Sequence, residues 1–137
     1  MAEGFARCYG SDVMDVESAG MAPATIVQPL TKLVMQEKNI NLDGVFPKDL
    51  GSVEVPSFDL IINMSGTKLP ESLPIEVRDW KVEDPIGRSE EVYIEVRNRI
   101  ERLVMDLVLE LRKEARKGQP RIPARRVLGR TGGARFR

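Results

Sequence analysis

The clearest periodic signal runs over 90–116, where Tyr93, Val96, Ile100, Leu103, Leu107 and Leu111 recur at spacings of three and four, one apolar stripe along a helix. Ser89 is placed to cap its start, Glu90 and Glu91 sit at the positive end of its dipole, and Gly118 and Pro120 end it. A second helix is predicted over 28–38. Pro29 suits its first turn, Leu30, Leu33, Val34 and Glu37 keep helical spacing, and Asn39 is a reasonable C-terminal cap. Residues 1–9 read as a short helix or the end of one, with Gly10 as its stop. Between these helices the period changes. Residues 12–18 set Val13, Asp15 and Glu17 against Met14, Val16 and Ser18, a strand with two distinct faces. Residues 58–64 form an apolar run, the mark of a strand buried on both faces of a parallel sheet. Residues 75–82 read as a weaker strand, 65–74 as a loop rich in Gly and Pro, and 83–87 as a turn. Residues 41–53 are turn-rich, with one helical turn near 48–50.

Strands alternating with helices imply an α/β fold around a mostly parallel sheet. At 137 residues the chain supports one domain with a real core and not two. Its 42 % apolar and 31 % charged content is ordinary for a globular protein. No apolar run approaches the ~20 residues needed to span a bilayer, and the first residues lack the pattern of a signal peptide. The cytoplasm is therefore the expected location, with no membrane contact. One cysteine, Cys8, permits no internal disulfide and no cysteine-built zinc site. The absence of histidine removes Cys–His and Ser–His catalysis and most metal sites, so no metal and no cofactor are expected.

A net charge of zero conceals an asymmetry. Residues 112–137 hold ten Lys or Arg against one acid, Glu114, and the remainder is acidic by the same margin. This divides the chain into a body, 1–112, and a basic tail, 113–137. Past Gly118 the tail lacks periodicity and abounds in Gly, Pro and Arg, so it is expected to be disordered or ordered only by a partner. Phe136 is its only aromatic residue, which argues against a base-stacking platform and hence against nucleic acid as its ligand.

Six stretches, in order, resemble the low-molecular-weight protein tyrosine phosphatases and the related arsenate reductases. Met1-Ala2-Glu3-Gly4-Phe5-Ala6-Arg7 looks like the helix after that family's phosphate loop, and Glu17-Ser18-Ala19-Gly20 like the end of its second strand. Residues 29–35 resemble its second helix, and Phe58-Asp59-Leu60-Ile61-Ile62-Asn63-Met64 its third strand. Residues 80–87, with Asp84-Pro85 inside, resemble its acid loop, and 91–101 its closing helix. The likeness covers about 1–111. It implies a doubly wound, mostly parallel, three-layer fold that hydrolyses phosphate monoesters. In complete members a cysteine thiolate attacks phosphorus, an arginine and backbone N–H groups hold the oxygens, and a distant Asp protonates the leaving group. Nucleophile and arginine belong to one Cys-x5-Arg loop, which follows the first strand and precedes the MAEGF-like helix. The present chain starts at that helix, so the fold is expected to lack its first strand together with the loop.

Neither glycine-rich nor thiol-bearing stretches elsewhere replace that loop. The residue six beyond Cys8 is Met14, not Arg, and Cys8 falls within or after a helix rather than in a turn that aims N–H groups at an anion. Cys8 reads as a small packing residue. Gly129-Arg130-Thr131-Gly132-Gly133 has no predicted strand before it, no helix after it and no nucleotide-loop lysine.

Asp84 is thus the one catalytic position the resemblance carries over, as the general acid for a poor leaving group. Its bland alternative is an Asp-Pro turn whose carboxylate caps the next residues. Trp80 could line the mouth of a site, but an aromatic on a strand is more often core. The related thioredoxin-coupled arsenate reductases carry resolving cysteines after the third strand, where this chain has Ser65 and Leu69, so no disulfide relay is available.

Three readings follow. The chain is a phosphatase-family domain from a reading frame that starts too late, inactive as given and binding a phosphate ester or oxyanion only once the loop is restored. Alternatively it is a non-catalytic pseudophosphatase or interaction module with a basic tail. A fragment of an arsenate reductase-like protein is a third possibility. In the family the missing strand lies between the strands at Asp12 and Phe58. Those two must close up, take a strand from elsewhere, or expose edges that invite self-association.

Overall fold

The chain opens with a helix, α1 (Ala2–Gly10), and turns within three residues into a strand, β1 (Met14–Gly20). Then follow α2 (Pro29–Gln36), β2 (Leu60–Met64), β3 (Glu76–Asp79), α3 (Glu90–Arg116) and β4 (Arg125–Thr131). The computed structural model describes residues 1–20, 29–42, 58–66, 75–117 and 125–131, the last group and 19–20 by backbone alone. The helical turn expected near 48–50, the loop over 67–74 and the remainder of the tail lie outside the described residues.

All four strands are parallel, in the order β1-β4-β2-β3. The gap expected between the strands at Asp12 and Phe58 is therefore filled, and filled by the tail. Met14 through Gly20 pair with Arg125 through Thr131 on one side, and Leu60 through Met64 pair with Val127 through Thr131 on the other. This corrects the expectation of a disordered tail for residues 125–131. The error has a physical cause: Arg125, Arg126 and Arg130 mask the short Val127-Leu128 run that fits a buried strand. It also corrects the reading of Gly129-Arg130-Thr131-Gly132-Gly133, whose first three residues are themselves strand, while Gly132 and Gly133 lie outside the described residues.

The periodic signals map onto buried faces. In β1, Met14 and Val16 are buried while Asp15 is exposed, the alternation a two-faced strand requires. β2 is buried on both faces, with Ile61 1 % exposed between Leu60 and Ile62. Each such aliphatic side chain contributes ~1.5–3 kcal/mol when fully removed from water. On α3 the stripe of Tyr93, Val96, Ile100, Leu107 and Leu111 is buried, joined by Val104 and Val108, while Leu103 is only partly covered. Val96, Ile100, Val104, Leu107, Val108 and Leu111 meet Phe5, Ala6, Met14, Val16, Met35, Leu60 and Ile62 in one core cluster, so α1, α2 and α3 pack on a shared face of the sheet.

Local stops are also as expected. Asn39 takes a left-handed φ of 59° after α2 and lets Ile40 N–H donate back to Met35 O at 3.1 Å. Cys8, read as a packing residue, is instead exposed on α1. The buried positions of that helix are Glu3, Gly4, Phe5, Ala6 and Gly10, and Cys8 falls on the opposite side.

Candidate functional site

In a parallel sheet all strands end at one edge, and ligands of open α/β folds bind there. Gly20 and Met64 both stand in register with Thr131, so β1, β2 and β4 end together. The end of β2 is fixed to the end of β3 by Asn63, a buried amide in an otherwise apolar strand. Its Nδ2 donates to Asp79 Oδ1 at 2.8 Å, and its Oδ1 accepts from Ser65 N–H at 3.2 Å and Ser65 Oγ–H at 2.6 Å. Trp80 N–H donates to Asn63 O at 2.9 Å, which carries the chain out of β3 into the loop that holds Asp84.

That loop is built tightly. Trp80 and Val82 pack against the core cluster, Arg88 pairs with Glu83, and Arg88 N–H donates to Pro85 O at 2.9 Å. Trp80 is thus half-buried against the core rather than fully inside it. Gly87 takes a φ of +78°, a conformation that side chains other than Gly resist. Asp84 Oδ1 accepts the Ile86 N–H at 3.0 Å, the turn-capping bond of an Asp-Pro sequence. Its other oxygen, Oδ2, is buried and has no hydrogen-bond partner among the described residues. Tyr93, on the first turn of α3, is buried nearby. Burial raises its hydroxyl pKa, and the charge of Asp84 raises it further. One carboxylate oxygen is therefore committed to the backbone, and the other is buried with no partner among the described residues.

A second acid occupies the start of α1, which lies at the same edge because α1 runs antiparallel to β1. Glu3 is buried there, with Oε1 accepting from Ser18 Oγ–H at 2.5 Å and Oε2 paired with Arg7 at 3.2 Å. The favourable field at a helix start is thus already taken up by a carboxylate of the chain itself.

The sole thiol is elsewhere. Cys8 lies near the C-terminal end of α1, which leads through residues 11–13 into the start of β1 and so sits toward the opposite edge of the sheet. Asp84 and Cys8 are not brought together. Asn63 and Glu3 escaped the sequence reading. An amide inside the apolar run 58–64 was the available signal for the first; Glu3 gave none, since acids in a helix's first turn are commonplace.

Comparison with known proteins places these features. Residues 1–117 match the sequence model of the low molecular weight phosphotyrosine protein phosphatases, so β4 falls outside the matched region. The chain is 30 % identical over 115 residues to a glutaredoxin arsenate reductase of Synechocystis sp., covering 81 % of this chain and 87 % of that protein. It is 31 % identical over 97 residues to a putative arsenate reductase of Halobacterium salinarum, covering 70 % and 68 %. Among solved structures it resembles an arsenate reductase in the phosphate binding state, with a TM-score of 0.72 and 29 % identity over 80 % of this chain and 86 % of that one. The reduced state of an arsenate reductase gives a TM-score of 0.69 at 30 % identity over the same shares. Among the described residues, no helix is long and apolar enough to cross a membrane.

Proposed function

We propose that this chain, which belongs to the low molecular weight phosphotyrosine protein phosphatase family, holds that family's scaffold without its thiol chemistry when it acts by itself. The observation that carries this reading is the position of Cys8, the only cysteine, exposed on α1 toward the sheet edge away from Asp84. The covalent route of this family needs a thiolate beside oxyanion donors and within reach of the proton donor. Asp84 supports the last part alone. Its loop is ordered by Gly87, the Ile86 bond and the Arg88–Glu83 pair, and its free oxygen is shielded, as a general-acid position requires. An acid without a nucleophile provides no such route.

The relatives favour the arsenate reductase branch over the tyrosine phosphatases as the ancestry of this scaffold, although the chain has no second cysteine with which to relay a disulfide. The role left to it is non-catalytic: a pseudoenzyme or interaction module, in the cytoplasm, on this reading. Hydrolysis of p-nitrophenyl phosphate at mildly acidic pH tests the assignment. The 137-residue chain is expected to show none above buffer, and the Asp84→Asn variant the same. Turnover that persists through repurification and falls in Asp84→Asn would place a nucleophile where we see none.

A further inference from the structure

The tail strand enters the middle of the sheet. β4 does not lengthen an edge but bridges two halves, since β1 and β2 have no ladder with each other. Both sides of its backbone are engaged, over seven positions with β1 and five with β2.

The register sets opposite charges against each other at one position. β1 carries Asp15 and Glu17, and Asp15 stands opposite Arg126 in a strand that also holds Arg125 and Arg130. Opposite charges across a ladder favour that register, and like charges there would disfavour it. The excess charge of the tail is thus complementary to the acidic body from which it is counted.

α3 buries its last side chain at Leu111 and continues, with Lys113, Glu114, Arg116 and Lys117 exposed. At 1.5 Å per residue, the five helical positions beyond Leu111 carry the chain about 7.5 Å past the core. Residues 118–124 then connect to Arg125, and they include Gly118, Pro120 and Pro123.

We infer that the slot between β1 and β2 is a strand-accepting site, and that its second occupant is the 125–131 segment of another copy of this chain. Reciprocal exchange reproduces every backbone pair of the closed form, Asp15 with Arg126 included. Exchange of an identical element is a low-cost route to a two-fold dimer. High protein concentration, or a connection too short to turn back, selects the exchanged form. The surface involved is the interior of the sheet, not the exposed edges that a missing strand would have left.

Cross-chain trapping tests this with the full chain. In a Cys8→Ser background, Asp15→Cys and Arg126→Cys are placed in separate chains, unfolded in urea, mixed at high concentration, refolded and treated with a short bis-thiol cross-linker. The exchange predicts a covalent heterodimer. The double variant, with both cysteines in one chain, is refolded at low concentration as the control, and the closed form predicts an internal cross-link. An internal cross-link in the control without any heterodimer in the mixture overturns the proposal, and so does equal cross-linking of the Arg126→Cys chain to an Asp106→Cys chain on the exposed face of α3. Deleting residues 119–121 supplies a second reading by sedimentation: a dimer is expected, and a folded monomer contradicts exchange.

Discussion

The guanidinium of Arg97 is buried in α3 and donates to the main-chain oxygen of Val34, 63 residues earlier, at 2.9 Å. Val34 lies in the last turn of α2, where carbonyls have no partner within their own helix. Arg97 also pairs with Glu37 at 3.0 Å and bonds the side chain of Asn98. One side chain therefore caps α2, seams it to α3 and satisfies its own charge.

Replacing Arg97 should separate these roles. Arg97→Met keeps much of the aliphatic stem but strands the Val34 carbonyl, at a cost of ~1–3 kcal/mol for an unsatisfied buried group. Arg97→Ala should cost more, because packing is lost as well. Urea unfolding midpoints measure both, and an Arg97→Met variant as stable as the parent would show that the bond to Val34 contributes nothing.

Val127 stands between Val16 and Leu60 at the centre of the sheet. Proline there has no N–H to give the ladder, a loss a central strand does not tolerate. Val127→Pro is predicted to destabilise the protein by ~3 kcal/mol or more, the scale set by proline inside regular structure, whereas Val127→Thr should leave the ladder intact. Circular dichroism melts distinguish them. Equal melting temperatures would mean that β4 does not hold the halves together.

Tyr9 donates to Glu101 Oε2 at 2.8 Å, and the pair sets a pH window. Burial, then the bond and charge of Glu101, push the tyrosine pKa up to about 12. Its contribution to stability is complete below the ordinary tyrosine pKa of ~10 and is lost as pH rises toward 12. Burial acts to raise the Glu101 pKa, but bonds from Tyr9 and Lys38 and the charge of Arg97 outweigh it and hold it below the usual range. That contribution is present at neutral pH and fades as pH falls through the folded-state value. Tyr9→Phe should flatten the alkaline limb of stability, and Glu101→Gln should soften both limbs. Unfolding midpoints from pH 3 to 12 would show it, and unchanged limbs in both variants would contradict the pair's role.

Gly10 ends α1 where two elements meet. A Cβ there would lie 2.7 Å from Met14 Cε and 2.7 Å from Val108 Cγ2. Met14 can swing its end away, but Val108 is β-branched and fixed on α3. Gly10→Ala is expected to cost ~1–3 kcal/mol by overpacking. Val108→Ala should relieve that strain, so the double variant should fall short of the sum of the two single losses.

Much of this architecture was legible because burial imposes periods. The stripe from Tyr93 to Leu111, the alternation around Val16 and the apolar run ending at Met64 each declare their element and its buried side. The turn at Asp84 was legible from its Asp-Pro sequence, whose carboxylate caps Ile86. What stayed hidden has no local period. β4 is a strand because β1 and β2 offer it two ladders, a tertiary cause that Arg125, Arg126 and Arg130 conceal in the sequence. Cys8 was misread as packing because a thiol's hydrophobicity says nothing of which helix face it occupies; Gly4, Phe5 and Gly10 settle that face only once the core is known.

The central claim is that a scaffold related to arsenate reductases performs no thiol chemistry in these 137 residues alone. Reduction of arsenate to arsenite takes two electrons, which thiols supply by forming a disulfide, so the direct measurement is arsenite produced from arsenate with glutathione and glutaredoxin present. The Synechocystis relative serves as the positive control. The account predicts no arsenite above the protein-free rate from a sample that circular dichroism shows to be folded. Arsenite in multiple turnovers, abolished by Cys8→Ser, would contradict it and make the exposed thiol on α1 the nucleophile.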